Sequence, residues 1–437
     1  MLKYFFFNVY KDVFCAIIVK MIKNGVLNMS YETLLKISRK CGAEEYKKQY
    51  MIRSQGPSTY HLPLSIRGNE KENNLFFVCT IEMMQKINNI IKLNSNLNTI
   101  LYKLPTVAVE QYKINCLIQE ILKTNEIEGV RSTKAEIKEA INSNEEKQKR
   151  FVGLAKKYVL LDRIEEEIPL KKSQDIRDLY DEIVLKEIEE EDYPDGAIFR
   201  KDSVDVLSPT LRVLHSGVMP ESNIIKKMDE ALEFLNYGEC DGLIKIAIFH
   251  YYFGYIHPFY DGNGRVSRFI SSYLISKHLN PLISFNLSLV IKENIKKYYQ
   301  GFMDCNEKMN QGDITPFCLM FLAIIEESLN DVVAELEDKA ETLKHCRSLL
   351  DEISDIEILE KQILFVLMQV DIFDGDNVGF KDLLRIIGDM TDKGISETTL
   401  RKYLKSLDRK GYLNKKKEGR RDIYSINSKI FEVNIEE

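Results

Sequence analysis

His257-Pro258-Phe259-Tyr260-Asp261-Gly262-Asn263-Gly264-Arg265-Val266-Ser267-Arg268 places a titratable base, a carboxylate, two glycines around an amide and two arginines within twelve residues. A hydrophobic core has no use for such a run. Apolar stretches flank it, Leu243 to Ile256 before and Phe269 to Leu279 after, and both read as helices. The run is therefore a loop feeding a helix N-terminus, where free backbone N–H groups and the helix dipole favour an anion. Gly262 and Gly264 let the backbone approach a phosphate closely and supply the positive-φ turns of a nest of N–H donors. Arg265 and Arg268, three apart on the first turn, suit bidentate clamping of phosphate oxygens from one side. Asp261 sits where it can hold a Mg²⁺ shared with those phosphates. His257, ahead of the nest, is left to take a proton. The reading is a nucleotide-handling site.

These residues resemble the signature of the Fic family, HPFx(D/E)GNGRxxR, with every defined position filled. The surroundings agree: Phe249 to Phe253 with Tyr255-Ile256 precede the motif, and Tyr298-Tyr299, Asn306-Glu307 and Gly312 to Phe317 are similar to the family's closing helix. The resemblance runs roughly from Thr124 to Ile325. It implies a mainly α fold: a Fic-type helical bundle with a β-hairpin flap. The activity it implies is transfer of AMP from ATP to a Ser, Thr or Tyr hydroxyl of a target protein, with Mg²⁺ or Mn²⁺ and release of pyrophosphate.

A hydroxyl is a poor nucleophile at neutral pH, so a positioned base is needed, and His257 takes that role. In-line transfer rests mostly on positioning and charge neutralisation. The resemblance assigns Asp261 to the metal, and Gly262, Asn263 and Gly264 to the α- and β-phosphates. Arg265 and Arg268, with Val266 and Ser267 between them, fall to the β- and γ-phosphates, and Tyr298, Tyr299 and Asn306 to the adenosine. Phe259 anchors the loop in the core. Gly264 favours AMP transfer over the phosphate transfer of Doc-type kinases, which carry a bulkier residue there. Phosphocholine transfer and removal of AMP from a target remain open alternatives.

Thr124-Asn125-Glu126-Ile127-Glu128-Gly129 fits the family's inhibitory pattern, (S/T)xxxE(G/N). It ends an amphipathic helix expected over about 112–128, with Ile114, Leu117, Ile118, Ile121 and Leu122 on one face and Gly129 as its stop. The resemblance pairs Glu128 with Arg268, in the place of the γ-phosphate, with Thr124 in the same motif. A target protein would dock on the flap, entered at Gly196 to Arg200 and Val204 to Val206, with alternation that suits a short strand. The return arm is expected near Ser216-Gly217-Val218, close to the nucleotide. The acidic run Glu187 to Asp192 reads as a solvated face.

At 437 residues the chain exceeds a single core. Its 44% hydrophobic and 29% charged content is that of an ordinary globular protein, and a net charge of −6 argues against wholesale coating of nucleic acid. Eight cysteines without CxxC or framework spacing suit reduced thiols in a cytoplasmic protein and offer no zinc site. No segment is apolar and long enough to span a membrane. Residues 1–28 are expected to be a mis-called start or a disordered extension, with Met29 as the natural start. The apolar stretch around Phe5-Phe6-Phe7 is only weakly like a signal peptide.

Residues 29–110 are expected to form a mostly helical region, 111–345 the Fic core, and 346–437 a linker and a winged-helix (α+β) domain. That domain would have helices at Leu359 to Val370, Phe380 to Ile387 and Glu397 to Lys410, capped at Ser396. Its wing would have Lys415 to Arg421 as the turn and Ile423 to Ile426 as the return strand. It resembles winged-helix domains of bacterial Fic proteins. Its Arg401, Lys402, Lys405 and Arg409 suit phosphate contacts with DNA, or a dimer or partner surface. Two functions follow from the whole. One is an autoinhibited AMP transferase, with self-modification and a homodimer among its expectations. The other is a DNA-binding regulator with a nucleotide-sensing Fic domain.

Overall fold

The computed structural model describes residues 31–68, 71–143, 150–162, 167–207, 213–373, 375, 377–391, 394–419 and 421–427. The expected extension, residues 1–28, and the flap tip at 208–212 lie outside them. The chain divides into two compact units.

One unit takes the described residues up to Thr80 together with Gln300–Leu319. It holds α1 (Leu34–Lys40), α2 (Ala43–Ser54) and a hairpin of β1 (Thr59–Arg67) and β2 (Glu72–Val78), paired from Thr59↔Val78 to Arg67↔Glu72. The hairpin corrects the expectation of helices alone in this region. Leu62, Leu64 and Ile66 alternate inward at the period of a strand. Pro63, which has no N–H, falls where the register shifts between His61 and Ser65. Phe76 exchanges backbone bonds with Gly312 and Ile314. The buried Asp313 accepts from Tyr31 Oη at 2.7 Å and from the Thr315 amide at 3.0 Å.

The other unit spans Ile81–Tyr299 and Met320–Glu437. Its helices begin with α3 (Ile81–Lys103), α4 (Thr106–Ile127), α5 (Lys134–Ile141), α6 (Val152–Leu160) and α7 (Ser173–Ile183). The flap strands β3 (Asp205–Leu207) and β4 (Val213–Ser216) follow, then α8 (Glu221–Tyr237), α9 (Gly242–Ile256), α10 (Asn263–His278) and α11 (Leu287–Glu293). Next in the chain come α12 (Ile295–Asn306) and α13 (Thr315–Glu352). Helix α9 is apolar on all sides because it is the central helix: apart from Lys245 and Gly254, every residue from Leu243 to Ile256 is buried. It runs into the motif loop, and α10 leaves it.

The C-terminal elements are α14 (Ile358–Ile372), β5 (Val378–Gly379), α15 (Phe380–Asp389), α16 (Glu397–Arg409), β6 (Leu413–Glu418) and β7 (Arg421–Ile426). The sheet order is β5-β7-β6, all antiparallel, and α15 and α16 lie between β5 and β6 in the chain. Ser396 caps α16 by accepting from the Thr399 amide at 3.1 Å. The hairpin differs from expectation in one respect: Lys415 to Lys417, expected in the turn, are strand, with pairing that extends to Glu418↔Arg421.

Helix α4 begins six residues before the sequence reading placed it and is pinned by a buried carboxylate. Glu120 is wholly inaccessible and accepts from the Ser288 amide at 2.7 Å, from the Ser288 hydroxyl and from Tyr158 Oη at 3.1 Å. Burial raises its pKa to about 7 against those hydrogen bonds. A pKa raised on folding stabilises the fold at low pH, and that contribution fades as pH climbs from the ordinary glutamate range through about 7. Wild type should therefore lose stability relative to Glu120→Gln between pH 5 and 8, by on the order of 3 kcal/mol. Paired urea titrations at the two pH values measure it, and a pH-independent difference would refute it.

Candidate active site

The motif loop is shaped by its own residues. His257 ends α9 in the left-handed conformation (φ 52°, ψ 65°), its amide donating to Phe253 O at 2.9 Å. Asn263 closes the loop: its Oδ1 accepts from the Phe259 amide at 3.0 Å and its Nδ2 donates to Phe259 O at 2.7 Å. Phe259 is the core anchor expected of it, stacked on Tyr180 at 3.8 Å between centroids and edge-on to Phe199. Gly262 has φ +79° and faces Val184 and Tyr180, so a side chain there meets both strain and crowding. With both ends of its amide engaged, Asn263 offers a phosphate the loop's shape and its backbone N–H. Its side chain is not an arm toward ligand.

Arg200, which sequence reasoning treated only as part of the flap entry, grips this loop. Its amide donates to Pro258 O at 3.3 Å, its Nε to His257 O at 2.9 Å and its Nη2 to Ile256 O at 3.4 Å. The same Nη2 reaches Val218 O at 3.0 Å, and Nη1 donates to Asp202 O. Three consecutive carbonyls at the start of the motif loop are thus held by one residue, and the guanidinium is fully buried. Gly217 makes room for it, since a Cβ there would fall 2.3 Å from Arg200 Nη2. The stretch before it is not a strand. The amides of Ala197, Ile198 and Phe199 all donate to the Glu221 carboxylate at the start of α8, and β-pairing is confined to Asp205↔Ser216, Val206↔His215 and Leu207↔Val213.

Burial, then the Arg200 charge, then His215 hold the His257 imidazole well below its ordinary pKa, so the ring is neutral at pH 7. His215 is engaged as well: its Nε2 lies 2.7 Å from Tyr255 O and its ring stacks on Tyr255. A neutral imidazole has the protonation state of a general base.

The two motif arginines meet different partners. Arg265 Nη1 donates to Glu187 at 2.7 Å, with both side chains buried, and its Nη2 lies 3.8 Å from the half-exposed Asp261 carboxylate. This corrects the reading of Glu187 as solvated: it is the internal counter-ion of Arg265 and also accepts from the Phe151 amide at 3.0 Å. Arg265 Nε and Nη2 have no hydrogen-bond partner in the protein. Two buried cationic donors beside a helix N-terminus and an accessible carboxylate form a set that suits an anion with a divalent cation.

Arg268 is the other. Its Nε donates to Thr124 Oγ1 at 2.8 Å, and its Nη2 to Thr124 O at 3.0 Å and to Glu128 Oε1 at 2.8 Å. Glu128 caps α4, and Gly129 follows with φ +74°, the stop expected of it. Gly264 is needed for this contact: a Cβ there would lie 2.1 Å from Glu128 Oε1 and 2.9 Å from Arg268 Nη1. Beneath it, His250 is fully buried, with Nδ1 2.8 Å from Ser271 Oγ and Nε2 2.6 Å from Tyr298 Oη. Burial and the Arg268 charge push its pKa down to about 3.

Not every expected ligand reaches the loop. The Val266 amide donates back to Gly262 O at 3.1 Å, and the Ser267 hydroxyl lies 3.1 Å from His250 Nδ1, so neither presents a polar group to it. Tyr298 Oη is taken by His250, and Tyr299 stands edge-on beside Tyr298. In the flap, Ser216 Oγ donates to Asp205 at 2.6 Å, the Gly217 amide to Val204 O at 2.9 Å and the Val218 amide to Ile256 O at 3.1 Å. The first two close the flap base on itself, and the third ties it to α9. Asn306 ends α12 and is counted with the first unit.

Residues 169–275 match the family model described as Fic/DOC family, a span that contains the loop, the flap and both arginines. Those residues form a Fic/DOC family domain. Over 84 residues it is 34% identical to the protein adenylyltransferase Fic of Aedes aegypti, and equally to that of Drosophila melanogaster. The matched stretch is 19% of this chain, and the chain spans only 15% of the length of those relatives. Among solved structures, a Fic family protein from Desulfovibrio desulfuricans G20 aligns over 78% of this chain and 96% of its own, at 18% identity and a TM-score of 0.46.

In this Fic domain the Arg200 charge and the Arg200 geometry are separable. Arg200→Met should raise the His257 pKa toward the ordinary imidazole value, whereas Arg200→Lys should leave it depressed. Both should destabilise the fold by roughly 2–4 kcal/mol through unpaired carbonyls. An NMR titration of the His257 ring in the three proteins decides it, and equal values in all three would remove Arg200 as the cause.

Proposed function

We propose that the protein transfers AMP from ATP to a hydroxyl of a target protein and is held back by Glu128. The observation that carries this reading is the 2.8 Å pair of Arg268 and Glu128 against Gly264. It sets a carboxylate at the mouth of a phosphate-type loop, on the cation that a terminal phosphate would seek. Names of the relatives as adenylyltransferases support the donor and the bond transferred.

The chemistry follows from the groups in place. The target hydroxyl oxygen attacks the α-phosphorus, its proton passes to the neutral His257 ring, and the bond from the α-phosphorus to the pyrophosphate oxygen breaks. Negative charge gathering on the leaving pyrophosphate faces the first-turn amides of α10 and the unpartnered N–H groups of Arg265. Mg²⁺ or Mn²⁺, when bound, supplies further neutralisation of those phosphates, and Asp261 is the carboxylate that would hold it, the remaining ligands being phosphate and water. The phosphates also counter the Arg200 charge, so His257 becomes a stronger base once ATP is bound. An extended target segment would pair with the short flap strands, which bring its hydroxyl toward His257.

Glu128 restrains the site in two ways. It takes a hydrogen bond from Arg268, and its charge repels a terminal phosphate. Glu128→Gly should therefore raise incorporation of label from ATP carrying ³²P on the α-phosphate at least tenfold, on the protein itself or on a lysate. Adding His257→Ala should lower it again by about 10²–10⁴, the range for loss of a general base. Label that stays on the protein in the double variant, or a Glu128→Gly protein as inert as wild type, would sink the reading.

Gly264→Ala gives an independent check. Its methyl group collides with Glu128 and Arg268, and removing the Glu128 side chain relieves most of that. Gly264→Ala should thus lower the melting temperature of wild type by more than that of Glu128→Gly. Equal shifts would show that Gly264 does not serve the contact.

A further inference from the structure

The winged helix carries a charge distribution opposite to that of the rest of the chain. Residues 397–426 hold ten Lys or Arg and four Asp or Glu, while the whole chain holds 61 and 67. The cations are sorted by the fold. Along α16, Leu400, Leu404 and Leu407 are buried against the domain, and Arg401, Lys402, Lys405 and Arg409 are exposed at the spacing of one helix face. On the wing, Lys415, Lys416, Lys417 and Arg421 are exposed.

Part of this charge is already answered within the domain. Arg401 lies 3.7 Å from Glu397 and 4.0 Å over the Phe380 ring, and Lys415 lies 3.0 Å from Asp422. Asp408 and Glu418 are exposed among the cations. The salt bridges found among the described residues include none to Lys402, Lys405, Arg409, Lys416, Lys417 or Arg421. Surface cations of this density repel one another and cost the domain stability, so a polyanion relieves strain as well as gaining contacts.

We infer that α16 and the wing bind duplex DNA. The shape selects the duplex among polyanions. A three-helix domain with its third helix exposed presents a rod of about 20 Å, which fits the major groove, while a two-stranded wing reaches the flanking backbone. A disordered acidic protein segment would match the charge but would not need a projecting helix beside a hairpin. The cations are lysine and arginine on an exposed face without buried polar partners, which favours phosphate contacts over base reading. The inference is independent of the nucleotide site, and the variants used to test it lie outside that site.

The test uses the full chain and a fluorescein-labelled 30-base-pair duplex of mixed sequence, read by anisotropy. Four phosphate contacts predict a slope near −3.6 of log K against log salt, so affinity should fall roughly a hundredfold between 50 and 200 mM salt. Lys402→Glu/Lys405→Glu and, separately, Lys416→Glu/Lys417→Glu should each weaken binding at least tenfold and flatten the slope, with unchanged circular dichroism. Unlabelled duplex should compete, and poly-glutamate at equal charge should not. No binding at 50 mM salt, binding indifferent to both double variants, or equal competition by poly-glutamate would overturn the inference.

Discussion

A buried guanidinium organises the Fic domain. Arg268 is 1% exposed, so its charge must be met inside the protein or by a ligand. Three hydrogen bonds to Thr124 and Glu128 meet it and bind α4 to α10. The neighbours have adjusted to the same cation. His250 is neutral because a second positive charge there would be both desolvated and repelled, and the neutral ring is then able to bridge Tyr298 and Ser271. Glu120, buried on the same helix, is pulled back toward ionisation by the Arg268 field. Exchange of Glu128 for another anion would break the Arg268–Glu128 bond and leave the other contacts intact.

Three buried arginines surround one loop, and the domain uses them differently. Arg268 is paired with a carboxylate. Arg265 is paired with Glu187 and, at longer range, with Asp261, while its Nε and Nη2 make no hydrogen bond within the protein. The partners of Arg200 are carbonyls, so its charge is not neutralised by them and acts on His257 instead. Two carboxylate-paired cations therefore flank the loop, and a third, met only by carbonyls, lies behind His257. It is the arrangement that a site needs if it must attract a polyanion without protonating its own base.

Much of this was legible in the sequence because it is local. The loop His257 to Arg268 has its chemistry in consecutive residues, and the stop at Gly129, the cap at Ser396 and the helices of the winged domain follow from spacing. The hairpin of β1 and β2 was missed because Pro63 and a Pro/Ser/Gly break obscure an alternation that is plain once Leu62, Leu64 and Ile66 are seen to be buried. Glu187 was missed for a different reason. In an acidic run its neighbours are exposed, and only the arrival of Arg265, 78 positions away, makes it internal. Arg200 stood in a recognised stretch, yet its role is a set of bonds to carbonyls, which leave no mark in sequence. The Val266 amide and the Ser267 hydroxyl turn to Gly262 and His250, since membership of a motif says nothing of which way a residue points on a helix.

Helix α4 is fastened along its whole length, and this restricts how it can yield. Near its start Tyr112 donates to Glu335 at 2.7 Å and stands edge-on to Phe373, which follows α14. At its middle Glu120 holds Ser288 and Tyr158, and at its end Thr124 holds Arg268. Moving α4 as a body would break all of these at once and leave Glu120 buried without partners, a penalty of several kcal/mol. Turning Glu128 away breaks one ion pair. Glu128 is the cap, its side chain is already 22% exposed, and a left-handed glycine follows it. The pair can therefore open at the cap while the helix stays seated, and the rest of α4 serves to present Glu128 to Arg268 and to hold the Arg268 side chain in place through Thr124 when Glu128 is gone.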